Sequence, residues 1–289
     1  MSKILVTGAT GTIGRQVTLA LANAGADVRA AVRDLAKAQD LADAGAELVE
    51  LRWDDPASIH AAFAGAKRLF LLTPFIEEPS AMVDAALAAA REAGVEHVVR
   101  LSAAGADPSS DFALAREHGR NEDAVKHSGI GWTILQPNFF MDNLVNYGPA
   151  QTIKAEGRIY GAAGDGKASW VSSTDVGAAA AAVLLQPEAH AGQTYQLTGE
   201  ESVSTSEIAT LLGDHLGREV VYVDMTLEQQ RGALAQQGTP AWMVDAFVGL
   251  ENVKRSGWAA EVSPAVRQLV GRPPETLRAY VKRNLEAFR

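Results

Sequence analysis

Gly8, Gly11 and Gly14 stand three residues apart, directly after the run Lys3-Ile4-Leu5-Val6-Thr7. Beyond them Val17, Leu19, Ala20, Leu21 and Ala24 recur at helical spacing, and Gly25 supplies a stop. Strand, glycine turn and helix in that order is the context a dinucleotide pyrophosphate requires. Glycine permits the tight turn and lets the backbone approach the phosphates, whose charge then sits at the helix N-terminus. A merely tight turn is the plain alternative. A second candidate lies at His118 and Glu122, one helical turn apart. A carboxylate there would orient the imidazole and raise its pKa, giving a general acid near neutrality; an exposed pair with no such role is the competing reading.

The end of the second strand decides between nicotinamide coenzymes. Sites for NAD place an acid there for the ribose 2′-hydroxyl. Here the stretch reads Arg29-Ala30-Ala31-Val32-Arg33-Asp34, with a guanidinium where the acid would be. Lys37 follows one turn later, and two convergent cations suit a 2′-phosphate, so the expected coenzyme is NADP(H). Asp34 stands where a helix N-cap belongs.

Several chemistries are missing. None of the five tyrosines has a lysine four residues on, so the Tyr-x-x-x-Lys proton donor of many dehydrogenases with this glycine spacing is absent. The same absence argues against a sugar-nucleotide epimerase or dehydratase. The histidines are scattered without metal-ligand spacing, so no metal site is expected. The chain has no cysteine, hence no disulfide and no thiolate nucleophile. Gly161-Ala162-Ala163-Gly164-Asp165-Gly166-Lys167-Ala168 nearly matches the phosphate-binding loop of nucleotide hydrolases. It ends in Ala168 where magnesium requires Ser or Thr, and a glycine-rich hairpin or loop is expected instead.

The elements that must position these residues alternate. Strand-like runs at 28–32, 47–51, 68–72, 97–101 and 132–135 are separated by helices at about 34–44, 56–64, up to Gly94, and 112–126. The continuous apolar run Leu69-Phe70-Leu71-Leu72 suits a strand covered on both faces. The pattern predicts an α/β, Rossmann-like, doubly wound parallel sheet. Residues 1–150 are read as a dinucleotide-binding domain with return elements at about 172–200. Residues 201–289, with the loop 151–171, are read as a smaller, mainly helical C-terminal substrate-side part. Helices are expected over 175–186, 204–217, 226–237, 240–253 and 274–288, with strands at 194–197 and 220–223; Thr226 and Gln229 have the spacing of a capping box.

The net charge is -9, with 26 basic and 35 acidic residues, which repels nucleic-acid phosphates and anionic membranes. The longest apolar stretch, 176–185, is too short to span a bilayer, and no signal-peptide pattern opens the chain. The expectation is a cytoplasmic protein with no nucleic-acid or membrane partner and an open oligomeric state.

Taken together these residues resemble the NmrA-like branch of the atypical short-chain dehydrogenase/reductases, which includes bacterial NADPH-dependent quinone oxidoreductases and triphenylmethane-dye reductases. The resemblance runs nearly end to end. It rests on 6–14, 32–37, 117–122, 135–143, 161–167 and 269–273. It implies that Thr10, Gly11, Thr12 and Ile13, following Gly8, touch the pyrophosphate and that Arg33 and Lys37 hold the 2′-phosphate. Leu72 and Thr73 would border the adenosine and ribose side. Ser102, Ala103, Pro137, Asn138 and Phe139, with Phe140, would lie near the nicotinamide, and His118 and Ser102 would be the catalytic candidates. Relatives commonly carry Asp where Arg52 stands, which puts the adenine contacts in question.

Two functions compete. One is an NADPH-dependent reductase passing hydride to a small, flat, electron-poor acceptor such as a quinone, a dye, or a conjugated carbonyl or imine. Such acceptors need little acid catalysis, and Phe139, Phe140, Trp170, Trp242, Met243 and Phe247 would wall an aromatic pocket or simply pack a core. The other is a non-catalytic NADP(H)-binding redox sensor, which the missing Tyr and Lys favour.

Overall fold

A computed structural model describes residues 3–289. Its strands, in chain order, are β1 (Ile4–Val6), β2 (Val28–Val32), β3 (Glu47–Glu50), β4 (Arg68–Leu71), β5 (His97–Leu101), β6 (Gly131–Pro137), β7 (Arg158–Gly161), β8 (Lys167–Ala168), β9 (Gln193–Leu197), β10 (Val203–Ser204) and β11 (Val221–Asp224). Seven of them form one sheet in the order β3-β2-β1-β4-β5-β6-β9. Every pairing in it is parallel. This is the predicted doubly wound α/β fold, with the strand order reversing between β1 and β4.

The chain divides into two compact units. The first runs up to Pro137 and includes Ser173–Leu197 and Gln268–Gly271. The second comprises Asn138–Ser172, Thr198–Arg267 and Arg272–Arg289. The first is cored by Leu5, Leu69, Leu71, Val98 and Ile134 of the sheet with Phe63 and Leu87 of its helices, all buried. The second has its own core, in which Met141, Trp170, Ile208, Leu212, Tyr280 and Phe288 are buried. Removal of these side chains from water is the main favourable term in each unit.

Local chemistry accounts for most element boundaries. Asp55 caps the helix Pro56–Phe63 by accepting from the Ala57 N–H, and Gly94 closes the helix Ser80–Ala93 in the left-handed conformation. Thr226 and Gln229 form the predicted capping box of the helix Leu227–Gln236. Three expectations need correction. The helix expected over 34–44 begins as a 3₁₀ turn, Leu35–Ala38, and becomes α-helical only at Gln39–Asp43. Asp34 is its N-cap, accepting from Ala36 N at 3.0 Å, and that bond only two residues on tightens the first turn. The helix expected over 274–288 starts at Leu277, because Thr276 rather than Pro274 caps it, and ends at Arg283, with a separate 3₁₀ helix over Leu285–Phe288.

The glycine-rich segment near Gly161 is not a hairpin. β7 pairs in parallel with β11, and β8 pairs antiparallel with β10. The loop amides that a phosphate would need are already spoken for. Ala162 N donates to Glu251 Oε2 (3.1 Å), Ala163 N to the Tyr222 hydroxyl (3.0 Å) and Gly164 N to Asp224 Oδ1 (2.9 Å). Two carboxylates and a tyrosine hydroxyl hold this nest, so it is not a nucleotide site.

Candidate functional site

β1 ends at Val6, and the chain turns at Gly8, whose φ of 64° is a left-handed conformation that side chains rarely adopt. Gly11 N donates to Gly8 O at 3.0 Å, closing the turn. The helix Thr12–Asn23 follows, with Gly11 as its N-cap and no acidic residue in its first turn. Its N-cap has no side chain to close the first-turn N–H groups, which favours an anion there.

Space at the turn is equally demanding. A Cβ on Gly14 would stand 2.2 Å from Gly8 O and 2.7 Å from its carbonyl carbon. A Cβ on Gly8 would meet the Leu72 side chain at 3.2 Å. Backbone thus lies against backbone, leaving an open surface of peptide groups at Gly8, Thr10, Gly11 and Thr12, all exposed. Ile13 buries its side chain, so only its main chain can serve a ligand. These features fit a diphosphate.

The end of β4 is tied to the same turn. The buried Thr7 hydroxyl donates to Leu72 O (2.8 Å) and accepts from Leu72 N (2.9 Å). β5 and β6 continue their ladder past the last strand residue of β5, with Ser102 N donating to Leu135 O (2.8 Å) and Ala104 N to Pro137 O (3.0 Å). Leu72, Thr73, Ser102, Ala103 and Pro137 therefore stand at neighbouring C-terminal strand ends, where ligands of such sheets bind. The Ser102 hydroxyl oxygen is buried without a hydrogen-bond partner among the described residues.

At the end of β2, Arg33 is exposed and, among the described residues, has no ion-pair or hydrogen-bond partner. Lys37 is also exposed but lies 3.6 Å from Asp34 Oδ2. The 3₁₀ turn accounts for that pairing, since residues three apart eclipse in it. Arg52 is exposed and lies 3.8 Å from Asp54.

The pairing expected between His118 and Glu122 does not form. Glu122 is buried, and its oxygens accept from Gln136 Nε2 (2.7 Å) and Lys126 Nζ (3.0 Å). His118 Nδ1 is buried with no hydrogen-bond partner among the described residues. Burial, and then the charge of Arg100, push the imidazole pKa down to about 3 rather than up. The ring is neutral at physiological pH.

Sequence reasoning missed two residues. Thr7 lies within the 6–14 motif, but nothing in the sequence shows that its hydroxyl ties the turn to Leu72. Arg100 was visible as the one charge in the apolar stretch of β5, His97-Val98-Val99-Arg100-Leu101, yet its role depends on burial.

The second unit holds Asn138 and Phe139. The Asn138 amide donates to Ser169 Oγ (2.7 Å) and to Ala259 O (2.9 Å), so its side chain serves that unit's own folding. Phe139 is half-buried, with its ring centroid 5.5 Å from that of Trp170. Lys254 Nζ stands 5.3 Å from the Phe139 centroid and is itself bonded to Glu251 Oε1 at 2.6 Å. Trp170 is a core residue, as its packing alternative anticipated.

Comparison with known proteins agrees with this geometry. The chain is 37% identical over 285 residues to an NAD(P)H azoreductase of Xenophilus azovorans, covering 99% of each. Its fold matches an NADPH-dependent quinone oxidoreductase of Escherichia coli complexed with NADPH, with a TM-score of 0.88 at 29% identity over 98% of this chain and 99% of that one. A Citrobacter sp. triphenylmethane reductase complexed with NADP(H) gives a TM-score of 0.83 at 28% identity, covering 98% and 99%. The NmrA-like family model matches residues 1–267, and the chain belongs to that family.

Proposed function

We propose that this protein is an NADPH-dependent reductase of small electron-poor acceptors. The carrying observation is the backbone cradle formed by Gly8, Gly11 and Gly14 beside an exposed, unpartnered Arg33. The amides at 10–13 bind the pyrophosphate, Arg33 with Lys37 holds the 2′-phosphate, and Leu72 and Thr73 border the adenosine and ribose side. Ser102, Ala103 and Pro137 border the nicotinamide. Bound there, NADPH supplies a hydride equivalent to the acceptor.

What the protein's own groups do not supply narrows the acceptor. His118 is neutral at physiological pH, and no tyrosine–lysine pair is available, so the acceptor's proton comes from water. This suits quinones, whose hydride adduct is a weakly basic phenolate, and cationic dyes, whose hydride adduct is neutral, better than simple ketones. Asn138 fixes its own segment of the second unit through the Ser169 hydroxyl and the Ala259 carbonyl. The named activities of the relatives, on azo compounds, quinones and triphenylmethane dyes, support the same reading.

The test is NADPH consumption at 340 nm with menadione, an azo dye and a triphenylmethane dye. Steady turnover with at least one is expected. Tight NADPH binding with no turnover across the panel would instead leave the redox-sensor reading.

A further inference from the structure

Among the described residues, Arg100 is the largest side chain fully withdrawn from solvent. Its Nη1 donates to Leu71 O (3.1 Å) and its Nη2 reaches the Thr73 hydroxyl (3.4 Å). Its Nε has no acceptor. Glu122 is the carboxylate whose field reaches it, but Lys126 and Gln136 occupy the Glu122 oxygens. Two further buried polar atoms without partners accompany it: Ser102 Oγ, two residues along the same strand face, and His118 Nδ1. A guanidinium buried without a paired carboxylate is costly, and its field acts strongly on whatever binds beside it.

In a doubly wound sheet the two halves of a dinucleotide lie on either side of the strand-order reversal. With the 2′-phosphate at the end of β2 and Thr73 at the end of β4 on the ribose side, the nicotinamide falls to the ends of β5 and β6, where Ser102 stands two residues beyond Arg100. The nicotinamide ring is uncharged when reduced and positively charged when oxidised. A fixed cation penalises only the second form. Its effect is already felt by His118, the other group in this sector able to take up a positive charge, whose protonation Arg100 opposes.

We propose that Arg100, anchored to the end of β4, is a positioning residue that makes the coenzyme site selective for redox state, holding the reduced form and expelling the oxidised one. The inference rests on the NADP(H) site proposed for the first unit. Its claim is separate: it concerns the ratio of the two affinities, not the existence of either.

The experiment is titration calorimetry of the full chain with NADPH and with NADP⁺, for the wild type, Arg100→Gln and Arg100→Lys. Gln keeps a donor and removes the charge, whereas Lys keeps the charge below the pKa of its buried amine, so it is compared at pH 6 and pH 8. The wild type should prefer NADPH, Arg100→Lys should retain that preference, and Arg100→Gln should lower the ratio on the order of tenfold by gaining NADP⁺ affinity. Structural damage alone would weaken both forms together and leave the ratio unchanged, which would overturn the proposal. Equal affinity of the wild type for the two forms would also overturn it, without any variant and whether or not Arg100→Gln folds. Failure of the wild type to bind either form would instead remove the coenzyme site itself.

Discussion

The α-carbon of Gly14 faces the carbonyl of Gly8 so closely that a methyl group on it would stand 2.2 Å from the Gly8 oxygen. At Gly11 the same construction gives 3.3 Å to the same atom. The first contact is backbone against backbone and can relax only by moving the turn away from the helix. The second needs a shift of a few tenths of an ångström.

The two glycines should therefore respond differently to alanine. Gly14→Ala is expected to lose about 3 kcal/mol of stability, the upper range for overpacking, and to melt well below the wild type. Gly11→Ala should melt near the wild type yet bind NADPH at least about tenfold more weakly, because it adds a methyl group to the exposed turn proposed to hold the pyrophosphate. Matched melting curves and coenzyme titrations separate the cases; equal stability loss in both would contradict the geometry.

Arg33→Ala is expected to weaken NADPH binding by about 1–3 kcal/mol, the range of a lost charge-assisted contact, and to leave NADH affinity nearly unchanged. Lys37→Ala should cost less, since Lys37 already lies beside Asp34. Parallel titrations with both reduced coenzymes check this. Equal losses for NADPH and NADH would remove Arg33 from the 2′-phosphate site.

The imidazole of His118, held near pKa 3, changes no charge between pH 5 and 8. His118→Gln should accordingly leave the shape of the kcat/KM profile with menadione unaltered over that window, whatever it does to its height. An inflection present in the wild type and lost in the variant would restore the imidazolium as a proton donor.

His97, buried at the start of β5, has its Nε2 at 2.9 Å from the Thr133 hydroxyl, and burial pushes its pKa down to about 4. Its folded pKa lies below the unfolded value of about 6.5, so the unfolded chain takes up the proton first. The stabilisation is complete above about pH 6.5 and drains away as the pH falls toward 4, by on the order of 3 kcal/mol. His118 adds a change of the same sign. Urea unfolding at pH 7 and pH 5 should show the loss, and His97→Gln should shrink it; a variant as acid-sensitive as the wild type would reject His97 as a source.

What depends on near neighbours along the chain could be read from sequence. The glycine turn, the alternation of strands and helices, the Asp34 cap, the Thr226–Gln229 box and the exposed cation at Arg33 are all set within a few residues of themselves. What depends on distant segments could not. β7 found its partner in β11 and not in the adjacent glycine-rich loop, because strand pairing is settled by whichever edge tertiary packing brings alongside. His118 and Glu122 have the spacing of an acid pair, but Gln136 on β6 and Lys126 claim the carboxylate, and burial with Arg100 reverses the expected pKa shift. Spacing along a helix places two groups on one face. The dielectric around them, and the third group that reaches them first, belong to the folded chain alone.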